Sequence, residues 1–424
     1  LFSTVLGVSF FGLLFFFIGI FQLYSLWFFI LFFLLLLLLF YKDIFSFFSG
    51  MYSLIKTVVP SRYTSFLVRF CFLLLCFFVL ANFFFSLTPE IQWDSLVYHL
   101  TQAKLYASHH GIVELPYDYH TYMPKQFDIL YVLGEVFALP QTAKIFTFFF
   151  NLFLLFGIFF FSRRYWNYDI AILTSALFYT IPTVALYQST TYNDLPATLF
   201  LFYSCYSFVL FLQTLNKKFL LLTGVFLGAA AATKILLLSL LPFFIFVLFF
   251  FSIQNKKITA FFLDVLQLSL LVFLFLSPWM ILTYTQVSNP VYPFFYSVFD
   301  GEHWGASLEE YWSTLRADYG SGRSVLSFFL SPWYITMEPM RYGPVYGITP
   351  LFLIFLPFFF LFFFLFPSLF RSSFFSSPLQ KKICFFFLYF SLFYFVVWFF
   401  LASDIRYLFP ILPALTLLSV LLFS

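Results

Sequence analysis

The chain has 424 residues, 63% hydrophobic and only 9% charged, with 78 Phe and a mean hydropathy of +0.99. That composition excludes a soluble domain and points to an all-α polytopic membrane protein. The net charge is +4, but no basic stripe runs along the chain, which excludes nucleic acid as a partner.

The first 40 residues are too long and too uniformly apolar for a cleavable leader, whose apolar region spans about 7 to 15 residues. They predict two membrane helices. The chain starts on Leu1 and stops inside the apolar run LTLLSVLLFS, so it is expected to extend past either end. A spanning helix needs about 20 apolar residues. On that length the sequence predicts about twelve, at 3–21, 24–41, 65–86, 143–161, 169–187, 195–213, 219–234, 236–252, 259–283, 348–370, 383–402 and 408–424. Stretch 219–252 is read as a tight hairpin, since one continuous helix would run about 50 Å with Lys234 near its middle. Cys71, Cys76, Cys205 and Cys384 all fall in apolar segments and read as small core residues rather than a disulfide framework or metal site.

Charge sorts the loops. With the N-terminus cytoplasmic, the inner loops carry Lys42, Lys56, Arg62, Arg163, Arg164, Lys217, Lys218, Lys256, Lys257, Arg371, Lys381 and Lys382 against Asp43 and Asp169 alone. The outer set holds fourteen acids, eight Lys or Arg and all five His. Basic loops stay cytoplasmic, so this orientation is expected. It makes 1–424 a single transmembrane domain with two long outer loops, 87–142 and 284–347. In the first, 94–109 has apolar residues at 96, 97, 100, 103 and 107, the pattern of an amphipathic helix along the membrane surface. Residues 126–138 repeat it weakly, and 305–319 predicts one surface helix in the second loop.

Charges at a membrane edge are candidates for function because burying them is costly. Asp94, in WDSLVYHLTQAKLYASHHG, reads equally as a helix cap or as a base held at the membrane surface. Tyr192-Asn193-Asp194 forms a short outer turn that would fix a carboxylate, though Asn-Asp with Pro196 is also an ordinary helix start. Lys234 ends GAAAATK, after Gly224-x-x-x-Gly228, a spacing that allows close helix packing. It could snorkel to headgroups or bind a lipid phosphate. Arg406 stands beside Asp404 in SDIRYLFP, where a plain surface ion pair is the simplest reading. His99, His109, His110, His120 and His303 share the acidic outer side, which leaves a divalent metal open, but no H-x-x-x-H or H-E-x-x-H spacing occurs. No Walker loop, GxSxG elbow or GxGxxG turn is present either.

The ordered blocks WDSLVYHLTQAKLYASHHG, YND opening a helix, a small-residue helix ending TK, NPVYPFF and DIRYLFPILP resemble the GT-C superfamily of integral-membrane glycosyltransferases. The nearest likeness is to the bacterial branch akin to protein O-mannosyltransferases and lipid A aminoarabinose transferases. The resemblance implies transfer of a sugar from a polyprenyl-phosphate carrier to a hydroxyl acceptor on the outer face, with inversion. It implies Asp94 as the base, Asp194 as a second acid orienting the acceptor or a metal, and Lys234 and Arg406 as partners of the carrier phosphate. Tyr98, His99, Asn193 and Tyr407, in the same blocks, join the substrate-binding set. Members often carry a second acid directly after the first; here that place is Ser95, with Glu90 one turn upstream as a substitute. The rival classes are a transporter or flippase, which would place charges near mid-membrane, a surface-polysaccharide polymerase or ligase, and an assembly protein.

Overall fold

The computed structural model describes residues 1–61, 64–256, 258–343, 346–354, 357 and 377–422. Among them no strand occurs, and the chain is a bundle of helices. Among the described residues, eight helices are long and apolar enough to cross a membrane, and shorter apolar helices accompany them. This is a polytopic membrane protein.

Helix α1 (Phe2–Ile20) turns into α2 (Leu26–Val58), where the Ser25 hydroxyl accepts from Phe28 N–H. α2 runs well beyond the expected end at residue 41. Nothing breaks it until Pro60, which disfavours helical backbone just before itself, and only Phe40 departs from helical angles (φ −119°, ψ 19°). α3 (Phe66–Ser86) is capped by Ser65. α2 and α3 leave most of their apolar surface facing outward, as lipid-facing helices do. Cys76 on α3 is exposed and Cys71 half-buried, so only Cys205 and Cys384 fit the core reading.

α6 (Gln141–Tyr165) leads into α7 (Tyr168–Tyr179) and α8 (Pro182–Tyr187). The expected single helix 169–187 breaks at Thr180 and Ile181, because Pro182 has no N–H to extend α7 and is suited to start a new first turn. α9 (Asp194–Thr214) is buried on every side. Phe2 of α1 packs on Tyr203 and Tyr206 of α9, and Phe208 of α9 packs on Phe244 and Phe386. α9 and α10 (Lys217–Thr233) form an antiparallel pair whose hydroxyls interlock, Ser204 Oγ donating to Thr223 O at 3.0 Å and Thr223 Oγ1 to Ser207 Oγ at 3.2 Å.

At Lys234 the backbone leaves the helix (φ −144°, ψ 104°), and a 3-10 turn, Ile235–Leu240, starts α11 (Leu241–Gln254) in the reverse direction. α12 (Ile258–Val287) then runs parallel to α10. The chain therefore reverses at Lys234 as expected, but α11 packs against α12 rather than against α10, so the two helices do not form the expected tight hairpin. A Cβ on Gly228 would lie 3.0 Å from Leu271 O and Val272 Cα; the missing side chain is what lets α10 and α12 touch.

In the first outer loop a π-helical turn, Ser95–His99, continues into α4 (Leu100–Ser108). Leu96 and Val97 face outward, whereas Ser95, His99, Gln102, Ala103 and Tyr106 face the protein. The helix thus turns its polar side inward. Two 3-10 turns, Tyr119–Tyr122 and Asp128–Tyr131, and α5 (Val132–Val136) follow before α6. Gln126 staples this loop to three helices: its N–H donates to Ala232 O at 3.0 Å, its Nε2 to Ser9 O at 2.5 Å, and its Oε1 accepts from Trp279 Nε1 at 3.4 Å.

The second loop holds α13 (Tyr296–Phe299), α14 (Ala306–Asp318), as expected for 305–319, and an unforeseen apolar helix α15 (Val325–Met337). Most of the expected 348–370 helix, and Arg62, Lys257 and Arg371, lie outside the described residues. α16 (Pro378–Leu401) begins with a Ser377–Gln380 capping box, earlier than the expected residue 383. A 3-10 turn, Ile405–Ile411, and α17 (Leu412–Leu421) complete the described chain.

Candidate functional site

Four sequence candidates, drawn from widely separated blocks, meet at one end of the bundle. Asp94 is itself helical and its side chain caps nothing, so the cap reading falls. Its Oδ2 instead accepts from Arg406 Nη1 at 2.7 Å, across 312 residues of chain. The same guanidinium grips Asp404, Nη2 donating to Oδ2 at 2.9 Å and Nε at 3.1 Å. Arg406 is 15% exposed and Asp94 19%, so the Asp404–Arg406 contact is not the plain surface pair the sequence suggested. Planar, forked contacts of this kind are the strong ones.

Asp194, 3% exposed, accepts from Lys234 Nζ. The break in helix at Lys234 aims its side chain back over the first turn of α9. Its ammonium also lies 3.6 Å above the centre of the Tyr407 ring, and the Arg406 guanidinium lies 5.9 Å from the same centre and 5.1 Å from that of Tyr192. Both cations therefore share one aromatic wall. Tyr192, in the short turn, receives the Asp94 N–H on its hydroxyl at 3.2 Å.

Asp404 is held on several sides. Its Oδ1 accepts from Arg406 N–H at 2.8 Å and its carbonyl from Trp398 Nε1 at 2.6 Å. Gly343 (φ +127°) passes so close that a Cβ would stand 3.4 Å from Asp404 Oδ1. Gly343 of the second loop thus backs the site.

A further tier lies behind Asp94. His99 Nδ1 is 2.8 Å from Asp128 Oδ2, both residues buried, and Asn193 Nδ2 donates to that same oxygen at 3.1 Å. Asn193 also reaches Thr233 O at 3.2 Å, tying the turn to the end of α10. His120 Nδ1 lies 2.8 Å from Asp118 Oδ1, and Gln102 donates to Oδ2 at 2.5 Å. Tyr98 is packed between the two imidazoles, 4.3 Å from His99 and 3.9 Å from His120, with its hydroxyl directed at Asp94.

Burial, the largest single effect, pushes the Asp94 carboxyl up, but the charge and hydrogen bond of Arg406, together with His99 and Tyr98, jointly outweigh it and hold the group below its ordinary range. Burial likewise opposes the His120 and Gln102 contacts at Asp118, which still ends low. Burial brings Lys125 down to about 8 against the pull of Asp128 and Asp118. Its Nζ donates to His120 O and to Met123 O.

Ser95, the place of the second acid, has a fully buried hydroxyl with no partner in the protein. Glu90 does not replace it. Its Oε1 accepts from Ile91 and Gln92 N–H, and its Oε2 accepts from Thr191 N–H at 2.9 Å, joining the loop to the 188–194 turn. The remaining histidines scatter: His110 bonds Tyr24 O and His303 lies 3.7 Å from Glu114. Among the described residues no three His, Cys, Asp or Glu side chains converge as a metal-ligand set. The carboxylates nearest Asp94 are instead taken up by Arg406 and Lys234, a donor set that does not fit a divalent cation.

Sequence reasoning missed Asp128, gave Tyr192 no role of its own within the Tyr192-Asn193-Asp194 turn, and undervalued Asp404. An isolated acid within the weakly periodic QFDILYVLGEVFA was the available signal for Asp128.

Residues 137–282 match the family model described as dolichyl-phosphate-mannose-protein mannosyltransferase. That stretch is less than half of the chain; it contains Asp194 and Lys234 but neither Asp94 nor Arg406. No curated protein and no solved structure matches the chain.

Proposed function

We propose that this protein is a membrane glycosyltransferase that moves a sugar from a polyprenyl-phosphate carrier to a hydroxyl acceptor, a lipid, glycan or protein, at the outer face of the membrane. The observation that carries the reading is the pairing of Arg406 with Asp94 beside the Lys234–Asp194 pair. A base and two cations stand together where a hydroxyl and a phosphate would have to meet. The match of residues 137–282 to a family named for a polyprenyl-type sugar donor supports the same class.

In this reading the acceptor oxygen attacks the anomeric carbon as Asp94 removes its proton. The carbon–oxygen bond to phosphate breaks, and the electron pair leaves with the phosphate. A hydroxyl is a poor nucleophile without a positioned base, and a phosphate leaving group needs cationic donors. Arg406 and Lys234 supply them. At rest both cations are neutralised by Asp94, Asp404 and Asp194. An incoming phosphate competes for the Nη1 edge of Arg406, so donor binding frees the Asp94 carboxylate. Tyr98, Asn193 and Tyr407 shape the substrate's surroundings, and Asp194 positions Lys234.

The test is transfer of labelled sugar from a panel of polyprenyl-phosphate sugars by the purified chain in nanodiscs, with mass spectrometry of co-purifying lipids to identify the donor. Asp94→Asn should fold and insert normally and lose turnover by about 10²–10⁴-fold. Normal turnover in that variant would remove Asp94 from the base role.

A further inference from the structure

Helix α2 is long and has little to hold it. Of its 33 residues only Phe29 is buried, so residues 44–57 at its C-terminal end bury no side chain. That end is nonetheless fixed: Arg163 Nη1 donates to Thr57 O at 2.9 Å, and the Tyr168 hydroxyl donates to Val58 O at 2.6 Å. Both donors serve carbonyls that the last turn of a helix leaves without partners. α2 is therefore pinned to α6 and α7 at its tip without being packed against the bundle just before it.

The gap this leaves is a cavity of about 470 Å³, lined by Leu54 and Thr57 of α2, Phe160, Arg163 and Arg164 of α6, and Tyr206 of α9. It lies at the opposite end of the bundle from Asp94. α6 starts beside the loop that carries Asp94, where Lys144 Nζ donates to Pro89 O at 3.3 Å, and runs for 25 residues, about 38 Å, to end on the two arginines. Leu54 and Phe160 give the cavity apolar lining, and the two guanidinium groups give it charge.

That charge is not answered by the protein. Among the described residues neither Arg163 nor Arg164 makes an ion pair with a carboxylate, whereas Lys217 has Asp264, Lys234 has Asp194, and Arg406 has Asp94 and Asp404. Both arginines sit in the last turn of α6, where the helix end carries a partial charge of about −0.5 and offsets only about a quarter of theirs. The remainder calls for an anion. Guanidinium groups grip phosphate through paired N–H donors, and Arg163 has spent one of its five on Thr57. Tyrosines flank the pair, the Arg164 guanidinium lying 5.8 Å from the centre of the Tyr165 ring and that of Arg163 5.9 Å from the Tyr168 ring. Aromatic residues gather in this way at the level of lipid headgroups.

We propose that this cavity binds an anionic phospholipid, its phosphate held by Arg163 and Arg164 and its acyl chains running along Leu54 and Phe160 between α2 and the bundle. Basic pockets between membrane helices select such headgroups. The lipid supplies the packing that α2 lacks at this end. The site is separate from the charge network around Asp94 and does not depend on the transferase reading.

The experiment measures binding of phosphatidylglycerol, phosphatidylcholine and inorganic phosphate to the full chain in detergent by native mass spectrometry. Arg163→Gln/Arg164→Gln removes the charges. Leu54→Trp fills the cavity with both arginines in place, which keeps the test decisive if loss of Arg163 unpins α2. Lys217→Gln/Lys218→Gln removes an adjacent pair of cations that does not line the cavity. Phosphatidylglycerol affinity should fall about tenfold or more in the first two variants and stay within about twofold of wild type in the third. Phosphatidylcholine, whose headgroup adds a positive charge, should bind the wild type more weakly. Equal phosphatidylglycerol affinity in wild type and Arg163→Gln/Arg164→Gln would overturn the site, as would wild-type affinity in Leu54→Trp. An equal loss in Lys217→Gln/Lys218→Gln would reduce it to general attraction between surface charge and anionic lipid. If inorganic phosphate displaces the lipid with the same dependence on the arginines, the ligand is a free phosphate and the lipid assignment fails.

Discussion

The two ends of the bundle handle charge in opposite ways. At the end that gathers the outer loops, Arg406, Asp94, Asp404, Asp194 and Lys234 are drawn out of solvent and into mutual contact. At the other end, the pair of Lys217 with Asp264 leaves the lysine 51% exposed, Arg163 spends one N–H on Thr57 O at 2.9 Å, and Arg164 lies beside the Tyr165 ring. The charges at this second end belong to the loops that the charge pattern expects on the cytoplasmic side. The outer ones are packed at a desolvation cost that orientation does not require. That contrast separates charges left at the surface from charges drawn into one buried network.

Breaking the outer network at its hub should have the largest effect on stability. Arg406→Ala strands Asp94 and Asp404, and loss of one partner from a buried pair costs about 3–5 kcal/mol; thermal unfolding in detergent should fall accordingly, with transfer activity lost. Lys234→Ala should cost less in stability, since one carboxylate is stranded instead of two. It should weaken undecaprenyl-phosphate binding by about tenfold or more, the value of a charge-assisted hydrogen bond, while acceptor KM changes little. Equal carrier affinity in the two proteins would remove Lys234 from the phosphate role.

Acid sharpens the comparison further. The folded-state pKa of Asp94 is depressed, so its pairing with Arg406 stabilises fully above the unfolded carboxyl's ordinary 3.8 and is lost as pH falls through the lower folded value. The melting midpoint should hold from about pH 7 to pH 5 and drop below about pH 4, and this drop should be shallower in Asp94→Asn. The smallest effect belongs to the inner end. Lys217→Ala should change stability by about 0–1 kcal/mol, the range of exposed ion pairs, and leave transfer unchanged.

Much of this arrangement was legible in the chain. The break at Lys234 was read from the length of 219–252, which is too long for one span, and the chain does reverse there, although α11 turns to α12 and not to α10. Other elements depended on neighbours. Helix 169–187 yielded to Pro182, and α2 ran past 41 because no breaker stood in its way. Asp94 was ambiguous by itself, since an acid at a helix start looks the same whether it caps or pairs; only the position of Arg406 decides. Asp128 was hidden because its partners, His99 and Asn193, come from two other segments.

The sequence by itself determined that the chain is a polytopic helical membrane protein, with its acids and histidines gathered in one set of loops. Hydropathy and charge act residue by residue against lipid and water, so they can be read without knowing any contact. Tertiary structure alone decided which carboxylate meets which cation, that Glu90 turns to Thr191 instead of standing in for the acid absent at Ser95, and that His99 pairs with Asp128 behind Asp94. Those outcomes depend on how each helix is rotated against its neighbours, on the closeness Gly228 permits, and on one π-helical turn, and they emerge only once the helices are packed.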